Sequence, residues 1–394
     1  MSEKSSLPFH DWLVGLRRYF HQYPELAYRE EKTAEKIARV LGELGIGCKT
    51  GIGGTGILAS LAASRAGPTL AIRADMDALP IEEKNDLPYR SKNAGVMHAC
   101  GHDGHIAIAL GTARSLVERK WAENGRGKVL FIFQPAEESG AGARAMLDSG
   151  AFDSESVDAV FAGHMHPQIP AGQIGIAPDV SNAASDNFVI KIVGKGGHGA
   201  HPHLGIDPIV AGSHLVTQIQ TIIGRSVSPL DSAVVTVGKF HSGSARNIIP
   251  EEAVLEGTVR TLRPEVRERV LRRLKDLVEG IASGHGVSCD FSVMAGYPLL
   301  RNDPKLVDYA MRTGAGVFGA GNMHSEGPRL GAEDFAYFAL RWPGVLVRIG
   351  CRAPGAEVSR GLHSPWFDFD ESALDAGVRL FTALIENYRD EPAR

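Results

Sequence analysis

Cysteine is scarce in this chain of 394 residues: Cys48, Cys100, Cys289 and Cys351 are the only four, and they lie far apart. That is too few for a disulfide scaffold of this size, and reducing cytosol is the compartment it suits. Excess charge is also missing. A net charge of −4 leaves no basic footprint for nucleic acid. No apolar run approaches the length of a membrane span, so no membrane partner is expected. Met1–Pro8 lack the apolar core and small-residue cleavage site of a signal peptide. Repeats and low-complexity tracts are absent too. What is present is an ordinary globular composition, 43% hydrophobic and 22% charged, at a length that predicts two domains.

The densest chemistry is His98-Ala99-Cys100-Gly101-His102-Asp103-Gly104-His105. Three imidazoles, a thiol and a carboxylate within eight residues form a donor mixture that a divalent transition metal binds well. Ile106, Leu110, Ala113 and Val117 follow at helical spacing, so the cluster reads as a loop emptying into a helix N-terminus. A polar surface loop with incidental histidines is the competing interpretation, and further ligands from elsewhere in the chain must decide between them.

Ahead of it, helical spacing runs from Phe9 to Phe20, then His21-Gln22-Tyr23-Pro24-Glu25-Leu26, then a helix from about Glu30 to Leu44 closed by Gly45. The run Gly51-Ile52-Gly53-Gly54-Thr55-Gly56 resembles a phosphate loop but lacks its Lys-Ser/Thr ending, and a hairpin turn fits better. Thr69–Ala74 reads as a buried strand that delivers Asp75-Met76-Asp77, and Lys128–Phe133 as another, ending in Gln134-Pro135-Ala136-Glu137-Glu138. A third, Ala159–Ala162, leads into Gly163-His164-Met165-His166-Pro167. Carboxylates and histidines beyond strand ends sit where open α/β sheets build sites. Asp75 and Asp77 can equally be turn residues, and Glu137 and Glu138 solvated charges at a helix start. Three strand-then-ligand instances alternating with helices predict a mixed, mostly parallel sheet flanked by helices.

The pattern changes near Ser181. Strand, helix, strand, strand, helix and strand over 181–295 follow the ferredoxin-like order, which can stand as an inserted α+β domain. The helix near Pro304–Val317, the segment Gly331-Ala332-Glu333-Asp334-Phe335, the strand Val345–Ile349 and the helix Ser372–Tyr388 then resume the first pattern. The expected division is therefore 1–180 plus 296–394, with 181–295 inserted. Near the end, Gly361-Leu362-His363-Ser364-Pro365 places a histidine in a loop.

Six stretches together carry a resemblance over nearly the whole chain. They are Arg73–Pro80, Met97–His105, Gln134–Glu138, Gly194–His201, Asn247–Pro250 and Gly361–Pro365. With them the chain resembles the hippurate hydrolase and indole-acetyl-amino-acid amidohydrolase branch of the aminoacylase-like dinuclear metallopeptidases. The resemblance implies a zinc-exopeptidase-like α/β domain and two divalent metal ions held by Cys100, His102, Glu138, His164 and His363. The metal could be zinc, manganese, cobalt or nickel. Glu137 would be the general base and Asp77 a carboxylate that fixes a ligand. His164 matches by register, with His166 as a competitor. Asp103 and His105 are read as structural neighbours.

The resemblance further implies that His198, in the inserted domain, reaches the active site of a partner subunit, so a homodimer or higher assembly is expected. Asn247 and Arg260 would contact the substrate's carboxylate or carbonyl. Local sequence alone leaves His198 a loop histidine and the other two sheet-edge polar residues. The implied reaction is hydrolysis of N-acyl-amino acids, with an aromatic acyl group as in hippurate expected first and acetyl next. A dipeptidase or exopeptidase on the same scaffold, a non-catalytic binding homologue and a zinc-scaffold module are the alternatives.

Overall fold

The structure is a computed structural model that describes residues 8–356 and 360–388, so the reading of Met1–Pro8 falls, but for Pro8, outside the described residues. The chain divides into two compact units. One comprises the residues up to Ser181, Arg301–Gly327 and those from Asp334 on; the other comprises Asn182–Leu300 and Pro328–Glu333.

In the first unit an eight-stranded sheet runs in the spatial order Cys48–Ile52, Gly56–Ala62, Arg126–Gln134, Arg65–Asp75, Ala159–Pro170, Gly344–Arg352, Ile174–Ile176, Met323–Ser325. The central four, from Arg126–Gln134 to Gly344–Arg352, are mutually parallel. They are apolar along most of their length because both faces of the sheet are covered; Val129–Phe133, Leu70–Ala74 and Val345–Val347 are all buried. Parallel register aligns Asp75 with Gln134, so the chain leaves both strands at the same edge. Asp77 and Glu137 emerge together there.

The helix His102–Glu118 packs against Phe9–Gln22 and Ser372–Asn387 and is buried along nearly its whole first three turns. It begins inside the metal-ligand octapeptide, so His102, Asp103 and His105 belong to its first turns rather than to a preceding loop. Gly101, at φ +90, makes this entry possible: a Cβ there would lie 2.9 Å from Cβ of Met165. The glycine-rich run is a hairpin turn between Cys48–Ile52 and Gly56–Ala62, as read. One expectation is corrected. The third strand does not stop at Ala162 but continues to Pro170, because His164 to His166 pair in register with Arg348 to Gly350. His164 is thus a strand residue.

The second unit is a four-stranded antiparallel sheet in the order Ala233–Ser242, Glu252–Thr261, Ala184–Val193, Ser288–Ala295. Helices Pro208–Ser226 and Pro264–His285 cover one face. Phe188, Ile190 and Ile192 alternate inward to meet Leu215, Ile219, Val270 and Leu274. The expected span of 181–295 differs from the observed unit, which runs on to Leu300 and takes in Pro328–Glu333. Backbone pairing holds that excursion: the Ala183 N–H donates to the Arg329 carbonyl at 2.9 Å, and Asn182 bridges to Arg329.

Candidate metal centre

Each imidazole at the sheet edge is oriented by what its first nitrogen does. His102 Nδ1 donates to the Asp77 carbonyl at 2.8 Å and His164 Nδ1 to the Met165 carbonyl at 2.8 Å, which leaves Nε2 of both as the free donor. His164 Nε2 lies 3.5 Å from Cys100 Sγ, and His363 Nε2 lies 3.2 Å from Glu138 Oε1. The result is two donor triples, Cys100-His102-His164 and Cys100-Glu138-His363, each with its atoms within 4.8 Å of one another and sharing the one thiol. A third group joins Glu137 to His102 and Glu138. His166 belongs to no such group among the described residues.

The chemistry of this set fits metal ions. His102 Nε2 is buried with no hydrogen-bond partner, a costly state unless another group satisfies it. Burial pushes the Cys100 thiol well above its usual range, and Glu138 and Glu137 add to the effect. Burial works against the charged form of His102, yet Asp75 and Asp77 outweigh it and hold the imidazolium up to about 10. Burial likewise raises Glu138, but His363 and His102 bring its carboxyl below the usual range. The pocket is thus poised to exchange protons for cations.

A neighbouring triple, Asp75-His102-His105, does not have the same freedom. Asp75 accepts from Arg73 at 2.7 Å and from His105 Nδ1 at 2.5 Å, so both its oxygens are engaged. His105 Nε2 accepts the Met165 N–H at 2.8 Å, which fixes the ring as a neutral tautomer; burial lowers its pKa to about 4 despite Asp75. Both ring nitrogens of His105 are thus engaged by protein groups.

Asp77 holds the opposite arm. Its two oxygens accept the consecutive backbone N–H groups of Glu137 and Glu138, each at 3.0 Å. Behind it, Arg73 extends from the buried strand to Asp75, to Gln134 at 2.7 Å and to Asp334 at 2.8 Å. Asp334 also accepts the Ala143 N–H at 3.0 Å, while its own N–H donates to Glu137 Oε1 at 3.4 Å. Sequence reasoning noted the segment containing Asp334 but assigned it nothing. An arginine in an otherwise apolar strand was the available signal, since a buried guanidinium needs carboxylates nearby.

The remaining expected residues lie in the second unit. His198 is exposed on the short strand Gly197–His198, opposite Ile248, and its Nδ1 accepts the Ala200 N–H at 3.0 Å. It shares with Asn247 and His241 a cavity of about 890 Å³ that reaches the start of the strand Glu252–Thr261. Arg260 sits near the other end of that strand, paired with Val234 and Ser185. At ~3.3 Å per residue, Arg260 is roughly 20 Å from the Val254 end. Arg260 is therefore not among the residues that line the cavity holding His198 and Asn247.

Comparison with known proteins completes the picture. The model of peptidase family M20/M25/M40 matches residues 71–387. The chain is 41% identical over 366 residues to the N-acetyl-L-cysteine deacetylase of Bacillus subtilis, covering 92% of this chain and 84% of that protein. It is 40% identical over 368 residues to the N-acetyldiaminopimelate deacetylase of Brevibacillus brevis, covering 93% and 95%. Among solved structures it is similar, with a TM-score of 0.82, 37% identity and coverage of 96% and 97%, to a dinuclear metal-binding M20 peptidase from Bacillus subtilis. A family match that takes in the ligand-bearing strands, with relatives aligned nearly end to end, places this chain among the hydrolases of peptidase family M20/M25/M40.

Proposed function

We propose that this protein is a dinuclear metal-dependent amidohydrolase that cleaves N-acyl-amino acids to a carboxylate and a free amino acid. The observation that carries the reading is the pair of donor triples sharing Cys100 Sγ, with the Glu137 carboxylate beside them. Cys100, His102 and His164 would hold one ion, and Cys100, Glu138 and His363 the other. Bound there, two divalent ions supply Lewis acidity and lower the pKa of a water. Zinc, manganese, cobalt and nickel all suit a mixed thiolate, imidazole and carboxylate set.

The chain's own groups then divide the work. Glu137 takes the proton of the attacking water and passes it to the departing amine nitrogen. Asp77 and the Asp334 N–H hold Glu137 in place, since both touch it directly or through its backbone. His198, exposed and backed by the Ala200 N–H, stabilises the developing oxyanion in the site of a partner subunit. The separation of Asn247 from Arg260 supports a dimer in which one inserted unit serves two sites, Arg260 in one and His198 with Asn247 in the other. The inserted unit would dimerise and close over the site, excluding water.

Acetyl stands first among acyl groups in this reading, because both deacetylases named above act on N-acetylated amino acids by their names; hippurate-type substrates come next. Four free cysteines suit reducing cytosol, and no helix among the described residues is long and apolar enough to cross a membrane. The test is amino-acid release from N-acetyl and N-benzoyl amino acids and from dipeptides, on metal-loaded wild type and on Glu137→Gln. The variant is expected to keep both metals by elemental analysis and to lose ~10²–10⁴-fold in kcat. Turnover retained in Glu137→Gln removes Glu137 from the base role, and dipeptides as the sole substrates turn the assignment toward an exopeptidase.

A further inference from the structure

Glu30 is a fully buried carboxylate to which the mechanism above gives no part. It stands just before the helix Glu31–Glu43, where an acidic side chain ordinarily caps its own helix. Here it does not. Glu25 does the capping instead, accepting the N–H and the hydroxyl of Thr33 at 2.8 and 3.0 Å. Glu30 reaches elsewhere: Oε2 accepts the Thr55 hydroxyl at 2.6 Å, and Oε1 accepts the backbone N–H of Ala136 at 2.9 Å.

Ala136 is a strained residue. Its φ of +53° is the left-handed region that an alanine rarely adopts, and it immediately precedes Glu137 and Glu138. The three consecutive amides of 136, 137 and 138 are therefore clasped by two carboxylates, Glu30 on the first and Asp77 on the next two. Tyr28 braces the far side of the same turn, donating its hydroxyl to the Gly140 carbonyl at 2.7 Å. Among the described residues, the non-glycine residues at positive φ are Tyr28, Ala136, Ala141, His363 and Lys120, and all but Lys120 belong to this site or its brace.

We propose that Glu30 is a positioning residue for the hydrolysis: by holding the Ala136 N–H it keeps the backbone in the left-handed turn that aims Glu137 and Glu138. This rests on the reading of Glu137 as the base. The turn Tyr23–Glu30 and the glycine-rich hairpin, which supplies Thr55, thereby acquire a role that neither has from its own sequence.

Three variants test it: Glu30→Ala, Glu30→Gln, and Glu30→Ala combined with Ala136→Gly. The readouts are kcat and KM separately at saturating metal, melting temperature, and hydrogen exchange of the peptide spanning 135–141. Glu30→Ala is expected to lose roughly 10- to 100-fold in kcat with little change in KM, and to exchange faster at 135–141. Glu30→Gln keeps an oxygen for the Ala136 N–H and recovers most of kcat. The double variant recovers part of it, because glycine holds the positive φ without strain. Glu30→Gln as impaired as Glu30→Ala, no gain from Ala136→Gly, or unchanged exchange at 135–141 overturns the proposal. If Glu30→Ala fails to fold, the glutamine variant, by kcat and exchange together, still decides. A wild type inactive on every acylated substrate refutes the amidohydrolase reading instead, and exchange alone then decides whether Glu30 holds the turn.

Discussion

Replacing Arg17 by methionine should destabilise the metal-free protein strongly, and the structure says by how much. Arg17 lies on the helix Phe9–Gln22 and is completely buried. Its Nε donates to Asp103 at 2.9 Å, Nη2 to Asp368 at 2.7 Å and Nη1 to Glu371 at 3.2 Å, and its guanidinium stacks 4.2 Å from the Phe369 ring centroid. Asp103, equally buried, has His21 Nδ1 at 2.8 Å as its other ionic partner. Methionine keeps most of the stem volume and removes the charge, so a buried carboxylate is left under-compensated. Breaking a buried pair in this way costs about 3–5 kcal/mol. At ~1–2 °C per kcal/mol for a chain of this length the melting temperature should fall by roughly 3–10 °C.

The pH dependence has a definite sign. Burial on its own raises the Asp103 carboxyl, but Arg17 and His21 outweigh it and hold the group well below the usual carboxylate range. A folded-state pKa below the unfolded value of ~3.9 contributes stability at neutral pH that is lost only as pH falls through the folded value. Without Arg17 the largest influence opposing burial is gone and the folded-state pKa rises, so the penalty is greatest at neutral pH and shrinks on acidification. Thermal unfolding of chelator-treated wild type and Arg17→Met at about pH 7.5 and about pH 5 should show the gap narrowing, and Asp103→Asn in the same background should recover part of it. A shift within about 2 °C, or a gap of equal size at both pH values, refutes the reasoning.

Two further outcomes follow from the site. Metal binding at about pH 8 should release close to two protons, from His102, held protonated up to about 10 by Asp75 and Asp77 against its burial, and from the buried Cys100 thiol. Affinity should therefore rise with pH below about 10, and binding heats should differ between buffers of unlike ionisation enthalpy; buffer-independent heats would contradict this. Asp77→Asn leaves one amide oxygen to face two N–H donors and turns an NH₂ toward the second. A loss of roughly 10- to 100-fold in metal affinity or kcat is expected, checked by chelator competition and steady-state kinetics, and wild-type values in both would rule out its supporting role.

Much of this protein is set by local pattern. Apolar runs bounded by glycine and proline mark the strands within a few residues, as at Thr69–Ala74 against the observed Arg65–Asp75, because a strand covered on both faces must be apolar wherever it is covered. The helices appear for a similar reason, through one buried stripe each. The donors themselves stand at strand ends and in the octapeptide, so the type of chemistry is legible from residue identity and spacing.

Tertiary structure alone decides which donors meet. His164 lies in mid-strand because its neighbours pair with Arg348–Gly350, a partner distant in sequence. His105 is withdrawn from ligation by a single backbone N–H, that of Met165. The supports, Arg17 to Asp103, Arg73 to Asp334 and Glu30 to Ala136, each join residues scores of positions apart. Hydrophobic periodicity records whether a residue is buried, whereas the partner of a buried charge is fixed by where the packed chain brings the opposite group. Periodicity within a segment carries no information about that meeting.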